Sequence, residues 1–203
     1  MQLEFHYHRH ANLLVQHDQE FKADYDELIK VLHGISDKDL QAAFKKDKAN
    51  RPSAKSLSVA INSIIKSRLK AKNWKDEVGL FKEPPYTKKN TKKWRLDFAK
   101  NHISVEVAFN HSGSVAHNIL KPVLASELNH VEKENQTKLG IVIVATEEMK
   151  KAGNFDSAIG TYDMFKEYFR PYNTIISTPI ILIGIKAPTS FYIDEKSKNI
   201  KII

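Results

Sequence analysis

Apolar positions recur along this chain at two spacings, and the change from one to the other divides it. Phe21, Tyr25, Leu28, Ile29 and Leu32 fall at i, i+4, i+7, i+8 and i+11, one stripe along a helix. Asp18 stands where an N-cap carboxylate belongs, and His33-Gly34 closes the segment. A shorter helix is predicted from Asp37 to Lys45, and Arg51-Pro52-Ser53 breaks the chain. Leu57, Ile61, Ile64, Ile65 and Leu69 mark the next amphipathic helix, with Asn62, Lys66 and Arg68 on its other face. After the Pro84-Pro85 loop the spacing drops to two. Trp94, Leu96 and Phe98 alternate with Arg95, Asp97 and Ala99. Beyond a turn near Lys100-Asn101, Ile103, Val105, Val107 and Phe109 alternate with Ser104, Glu106, Ala108 and Asn110. Each strand then has one apolar face, and a hairpin would put Asp97 and Glu106 together on the other.

Ser112 to about His130 reads as a helix with Pro122 near a kink, and Asp156 to Arg170 as another that uses Ile159, Met164, Phe165 and Phe169. Leu139–Ala145 and Pro179–Ile185 are unbroken apolar runs, as expected of strands covered on both sides. Phe191–Ile193 and Ile200–Ile203 flank a turn-like EKSKN and predict a terminal hairpin. This order of elements predicts an α/β fold, a central mixed sheet with helices on both faces. No repeat or linker interrupts it, so residues 1–203 are read as a single domain.

Composition narrows the class. Without cysteine there is neither a disulfide nor a thiolate metal site. The N-terminus lacks a signal peptide's apolar region and no apolar run spans a bilayer, so a soluble cytoplasmic protein without membrane contact is expected. The net charge of +8 favours a polyanionic partner, although a basic chain can simply be soluble. Lys88, Lys89, Lys92, Lys93 and Arg95 gather that charge just before Asp97, which favours nucleic acid, with Lys92 and Lys93 as phosphate contacts.

Paired carboxylates suit phosphodiester chemistry. Mg²⁺ takes hard oxygen ligands, usually one or two carboxylates plus water and substrate phosphate. Asp97 and Glu106 are the candidate ligands, with the Val107 carbonyl as a further oxygen and Glu77 as a third acid. The plainer alternatives are solvated carboxylates on an open sheet face and, for Glu77, a surface acid paired with lysine. Ala108, two residues past Glu106, has no acid–base capacity. His6, His8 and His10 would share one face of a strand, which allows zinc, but a phosphate contact or simple exposure is the plainer reading. Trp74, Tyr162, Tyr168 and Tyr172 are read as packing residues.

The run LDFAKNHISVEVAFNH, a helix ending in ASELNHVEK, then IVIVAT and later YNTIISTPIILIGI together resemble the type II restriction endonucleases of the BglII and BstYI group, closest to BstYI. The resemblance covers most of the chain. It implies a restriction-endonuclease-like fold, a Mg²⁺-dependent homodimer, and cleavage of palindromic double-stranded DNA. The implied site is a hexanucleotide with a GATC core, purine-GATC-pyrimidine for a BstYI-like enzyme, cut to leave 5′ overhangs. A cognate DNA methyltransferase would belong to the same system. By position, Asp97 and Glu106 match the metal-binding acids and Glu77 a position near the active site. Ala108 departs from the Gln, Glu or Lys of relatives. Asn110 and His111, and Asn154, Asp156 and Ser157, fall where relatives read bases, though caps and turns explain such residues equally well. Lys133 would reach phosphate or an outer base. A non-catalytic sequence-specific DNA-binding protein and a repair or junction-resolving nuclease on the same core are the competing readings.

Overall fold

In the computed structural model, which describes residues 1–87, 94–127 and 131–203, a six-stranded mixed sheet carries the fold. Its strands are β1 (Leu3–His8), β2 (Lys75–Gly79), β3 (Arg95–Lys100), β4 (Ile103–Val107), β5 (Leu139–Ala145) and β6 (Ile180–Ile185), in spatial order β1-β6-β5-β4-β3-β2. β4, β5 and β6 run parallel, and the pairs toward both edges are antiparallel. The expected hairpin of β7 (Phe191–Ile193) and β8 (Ile200–Ile202) stands apart as a second sheet.

Helices cover both faces, as the element order predicts. On one side lie α1 (Ala11–His17), α2 (Gln19–His33), α3 (Asp37–Asn50), α4 (Ser58–Lys70) and α6 (Glu147–Ala152). Their apolar stripes, among them Leu28, Leu32, Ile61 and Ile65, pack with Ile103, Val105, Ile141 and Ile183 of the sheet. On the other side α5 (Val115–Ser126) and α7 (Tyr162–Phe169) bury Ile119, Val123 and Phe165 against Val142, Val144 and Leu182. The stripes of α4 and α5 are thus core. Each aliphatic side chain buried here contributes roughly 1.5–3 kcal/mol.

Pro122 does not break α5. A Cβ added to Gly140 of β5 would stand 2.5 Å from its Cβ, so Gly140 is what lets the helix press directly on the sheet.

Several expected boundaries move, each for a local reason. Asp18 does cap α2, accepting from the Glu20 N–H at 2.9 Å. α3 runs on past Lys45 to Asn50, because the sequence to Pro52 is made of tolerant helix formers and Asp47 pairs with Arg51 at 2.9 Å. The helix expected from Ser112 starts as a 3₁₀ turn, becomes α-helical at Val115 and stops at Ser126; residues 128–130 lie outside the described residues. The helix expected from Asp156 begins only at Tyr162. The preceding backbone is committed elsewhere: Ser112 N–H donates to Ala158 and Gly160 N–H to Asn110. Met164, expected inside, is 38 % exposed. β1, α1, β2 and α6 were not expected from the pattern. His10 leaves β1 for a left-handed turn (φ 55°), while His6 and His8 both pack against Phe169, so the three imidazoles do not share a face. Trp74 and Tyr162 are buried, as read.

Candidate active site

The strict alternation expected of β3 fails at the carboxylate. Phe98 joins the core beneath α2 and α4, whereas Leu96 and Ala99 pack with Ala125 on the α5 side. Registered pairing between β3 and β4 runs from Lys100↔Ile103 to Phe98↔Val105 and ends there. Carboxylates supply the next bonds. The Val107 N–H donates to Asp97 Oδ2 at 2.7 Å, and the Asp97 N–H donates to Glu106 Oε1 at 3.2 Å. The two acids therefore meet, but in the gap between parting strands rather than on one open face. The N–H and C=O of a strand residue point to the same side, so the Val107 carbonyl is directed toward that gap as well.

Glu77 arrives from β2. Pairing with β3 registers Asp76↔Phe98 and Val78↔Leu96, which leaves Glu77 opposite Asp97 with φ 53°. Left-handed backbone at a non-glycine residue inside a strand is strained by about 1–2 kcal/mol and marks sites where side-chain direction matters.

These residues line one cleft of about 220 Å³ with Asn62, Lys66, Phe98, Asn110 and Lys121. Glu106 is 2 % exposed. Burial, reinforced by Asp97, pushes its carboxyl up to about 8, and burial also raises Asp97. Lys121 of α5 places Nζ 2.6 Å from Glu106 Oε2. Lys66 of α4 pairs with Asp76 at 2.8 Å. Sequence reasoning saw Lys66 and Asn62 only as the polar face of a helix and missed Lys121 altogether. The signal available was its helical register beside Pro122, on a helix that must cross the carboxylate strand. Ala108 is buried with Val115 and Ile119 and lines no part of the cleft.

The two expected base-reading segments lie side by side. His111 bridges Ile159, and the bonds from Ser112 to Ala158 and from Gly160 to Asn110 zip the loops together next to the acids. Within them, the His111 ring accepts from the Gly113 N–H at 3.0 Å and Asp156 Oδ1 from the Ala158 N–H at 2.9 Å. Asn154, at φ 50°, donates its side-chain amide to the Lys55 carbonyl at 2.5 Å. Asn110 faces the cleft, and Asp156 and Ser157 are exposed. Lys133 is not brought to this rim as an open cation: it is 9 % exposed with Nζ 4.7 Å from the centre of the Phe81 ring, and burial lowers its pKa. Lys88, Lys89, Lys92 and Lys93 lie outside the described residues. Among the described residues, no three His, Asp or Glu side chains form a ready-made metal cage, and no helix is long and apolar enough to cross a membrane.

This architecture has known counterparts. A crystal structure of the restriction endonuclease BglII complexed with a DNA 16-mer matches with a TM-score of 0.65 at 19 % identity, over 99 % of this chain and 89 % of that one. A crystal structure of free BglII matches with a TM-score of 0.50 at 17 % identity, over 100 % and 90 %. Comparison with curated proteins finds no match. A model of the family described as restriction endonuclease BglII/BglIII matches residues 3–185. The chain belongs to the BglII family of restriction endonucleases, type II site-specific deoxyribonucleases built on this α/β fold.

Proposed function

We propose that residues 1–203 act as one cytoplasmic endonuclease domain that hydrolyses duplex DNA with Mg²⁺ bound at Asp97 and Glu106. The observation that carries this reading is the buried Glu106 carboxylate and the half-buried Asp97 carboxylate meeting where β3 and β4 part, at the floor of a cleft that Glu77 and two lysines also line. The residues fit a hard divalent cation. The buried Glu106 carboxyl and its half-buried neighbour Asp97 are both held high by desolvation even with Lys121 beside them, so the pair has room for more positive charge, and Mg²⁺ needs only one or two carboxylates plus water and phosphate. The cation would supply charge neutralisation at the scissile phosphate and acidify a water.

The chain's own groups do the rest. Asp97, Glu106 and the Val107 carbonyl provide oxygens on one side of the cleft, and Glu77 adds an acid that orients water from the other. In the reaction a water oxygen bonds to phosphorus and one P–O ester bond breaks. The ester oxygen leaves as an alcohol after taking up a proton, and the water's own proton passes to solvent. With alanine at position 108, no side chain there shares in this proton transfer.

Base recognition falls to the zipped loops. Asn110 faces the cleft and can offer paired hydrogen bonds to adenine, while Asp156, Ser157 and His111 are exposed on the same pair of loops. Asn154 shapes the second loop through Lys55. Lys92 and Lys93 add phosphate contacts. The BstYI-like sequence runs favour purine-GATC-pyrimidine, cut to 5′ overhangs and protected by a cognate methyltransferase. A palindromic site calls for a homodimer, one active site per half-site.

A panel of linear, nicked and branched duplexes tests the reading. Cleavage of linear duplex at one sequence, dependent on Mg²⁺, is expected. Preferential cutting of branched DNA irrespective of sequence would instead indicate a junction-resolving nuclease.

A further inference from the structure

Position 108 contributes no polar atom to the cleft, yet a cation stands beside Glu106. It comes from a different element: Lys121 of α5 reaches Oε2 at 2.6 Å with its side chain only 12 % exposed. Lys66 lines the same cleft, but it is 46 % exposed and engaged by Asp76. Of the two lysines, Lys121 is the one held against the acids.

We propose that Lys121 is a catalytic residue whose ammonium contacts the scissile phosphate, so that α5 supplies the third polar group that β4 lacks. The assignment rests on the nuclease reading above. Three observations carry it. First, Lys121 shares the cleft with Asp97, Glu77 and Asn110. Second, the fold does not require this pair. Taking an ammonium and a carboxyl out of water costs several kcal/mol, and such a pair is seldom more stable than apolar residues in its place. Such a pair on the wall of an open cleft points to chemistry rather than to packing. Third, its helix is firmly seated. The next residue, Pro122, lies directly over Gly140, where a Cβ would be 2.5 Å from the proline Cβ. The helix turn that carries Lys121 is thereby seated on the sheet rather than on a mobile loop.

An ammonium has three donors. One bond to Glu106 leaves two for a non-bridging phosphate oxygen and the attacking water. Lys121 stabilises charge developing on the phosphate, while the proton released by water passes to solvent as above. Removing a single donor of this kind from a transition state slows reactions by about 100- to 1,000-fold.

The test is single-turnover cleavage by Lys121→Met, which keeps the apolar stem, at saturating enzyme across a Mg²⁺ titration. DNA affinity is measured in parallel without metal, and thermal stability checks the fold. The expected result is a rate at least 100-fold below wild type that stays low at saturating Mg²⁺, with DNA affinity within about threefold, and partial recovery in Lys121→Arg. A rate within threefold of wild type overturns the proposal. So does recovery at high Mg²⁺, which would reduce Lys121 to a partner that positions Glu106 for the metal. Should Lys121→Met fail to fold, Lys121→Gln, which keeps a donor to Glu106 but no charge, is measured in its place with at least a tenfold loss expected. If wild type itself leaves every duplex uncut, the nuclease reading falls and this assignment with it. If Lys121→Met cuts while Asp97→Asn does not, only the role of Lys121 falls.

Discussion

The backbone N–H of Asp97 donates to the carboxylate of Glu106 at 3.2 Å, at the point where two antiparallel strands stop pairing. The Asp97 carboxylate in turn accepts from the Val107 N–H, at 2.7 Å. Each acid thus satisfies a main-chain donor that strand pairing has released, and the same separation opens the cleft floor. Structural and chemical roles coincide in these two residues.

Glu106 is costly to the metal-free fold. Below about pH 4.5 it is protonated both folded and unfolded and is neutral to stability. As pH rises toward 8 the unfolded chain ionises first, because burial holds the folded carboxyl at about 8, and stability is lost across that window. Glu106→Gln is expected to show a thermal midpoint, relative to wild type, that climbs between pH 5 and pH 8 without metal. Mg²⁺ should raise the wild-type midpoint and leave the variant's unchanged. A pH-independent difference in thermal melts would remove the buried carboxyl as its cause.

Gly140→Ala tests the seat of α5. The added methyl meets Pro122 at 2.5 Å, so helix or strand must shift, at a cost of about 1–3 kcal/mol. Because Lys121 precedes Pro122, the cleavage rate should fall as well, in protein that remains folded by circular dichroism. Unchanged stability would mean that α5 does not press on β5 as described.

The reading loops separate by what their side chains already do. Asn154→Ala loses the bond to Lys55 and must hold φ near 50° without asparagine's tolerance for it, costing about 1 kcal/mol or more; Asn154→Gly avoids the strain. Asn110→Ala touches no such contact. It should leave the melt unchanged and narrow discrimination between the cognate site and one-base variants by about tenfold or more. Competition binding with variant duplexes measures this, and intact discrimination in Asn110→Ala would remove it as a base reader.

The sheet's central strands and the long helices were legible because burial on two faces or one writes a clear pattern. Leu139–Ala145 is wholly apolar, and the stripe from Phe21 to Leu32 has no break. The edges were not. β2 holds two acids and a left-handed Glu77, and β1 interleaves histidines, so neither shows a clean period. The Asp156–Arg170 stretch reads differently in sequence because its early backbone bonds belong to another loop 46 to 50 residues away, which periodicity cannot register. At the site, Asp97 and Glu106 were visible from strand spacing. Lys121 was hidden, since its meaning depends on which helix crosses which strand, a relation set by Gly140 and Pro122.

A side-by-side digest of plasmid DNA by wild type, Asp97→Asn and Glu106→Gln in Mg²⁺, with the cut ends sequenced, tests whether these two acids hold the metal for site-specific cleavage. Wild type is predicted to give discrete fragments whose ends share one palindromic sequence. Either variant should cut at least about 1,000-fold more slowly while still binding that sequence, since each removes a ligand that the reaction needs. Wild-type rates in both variants, or ends with no common sequence, would contradict the account.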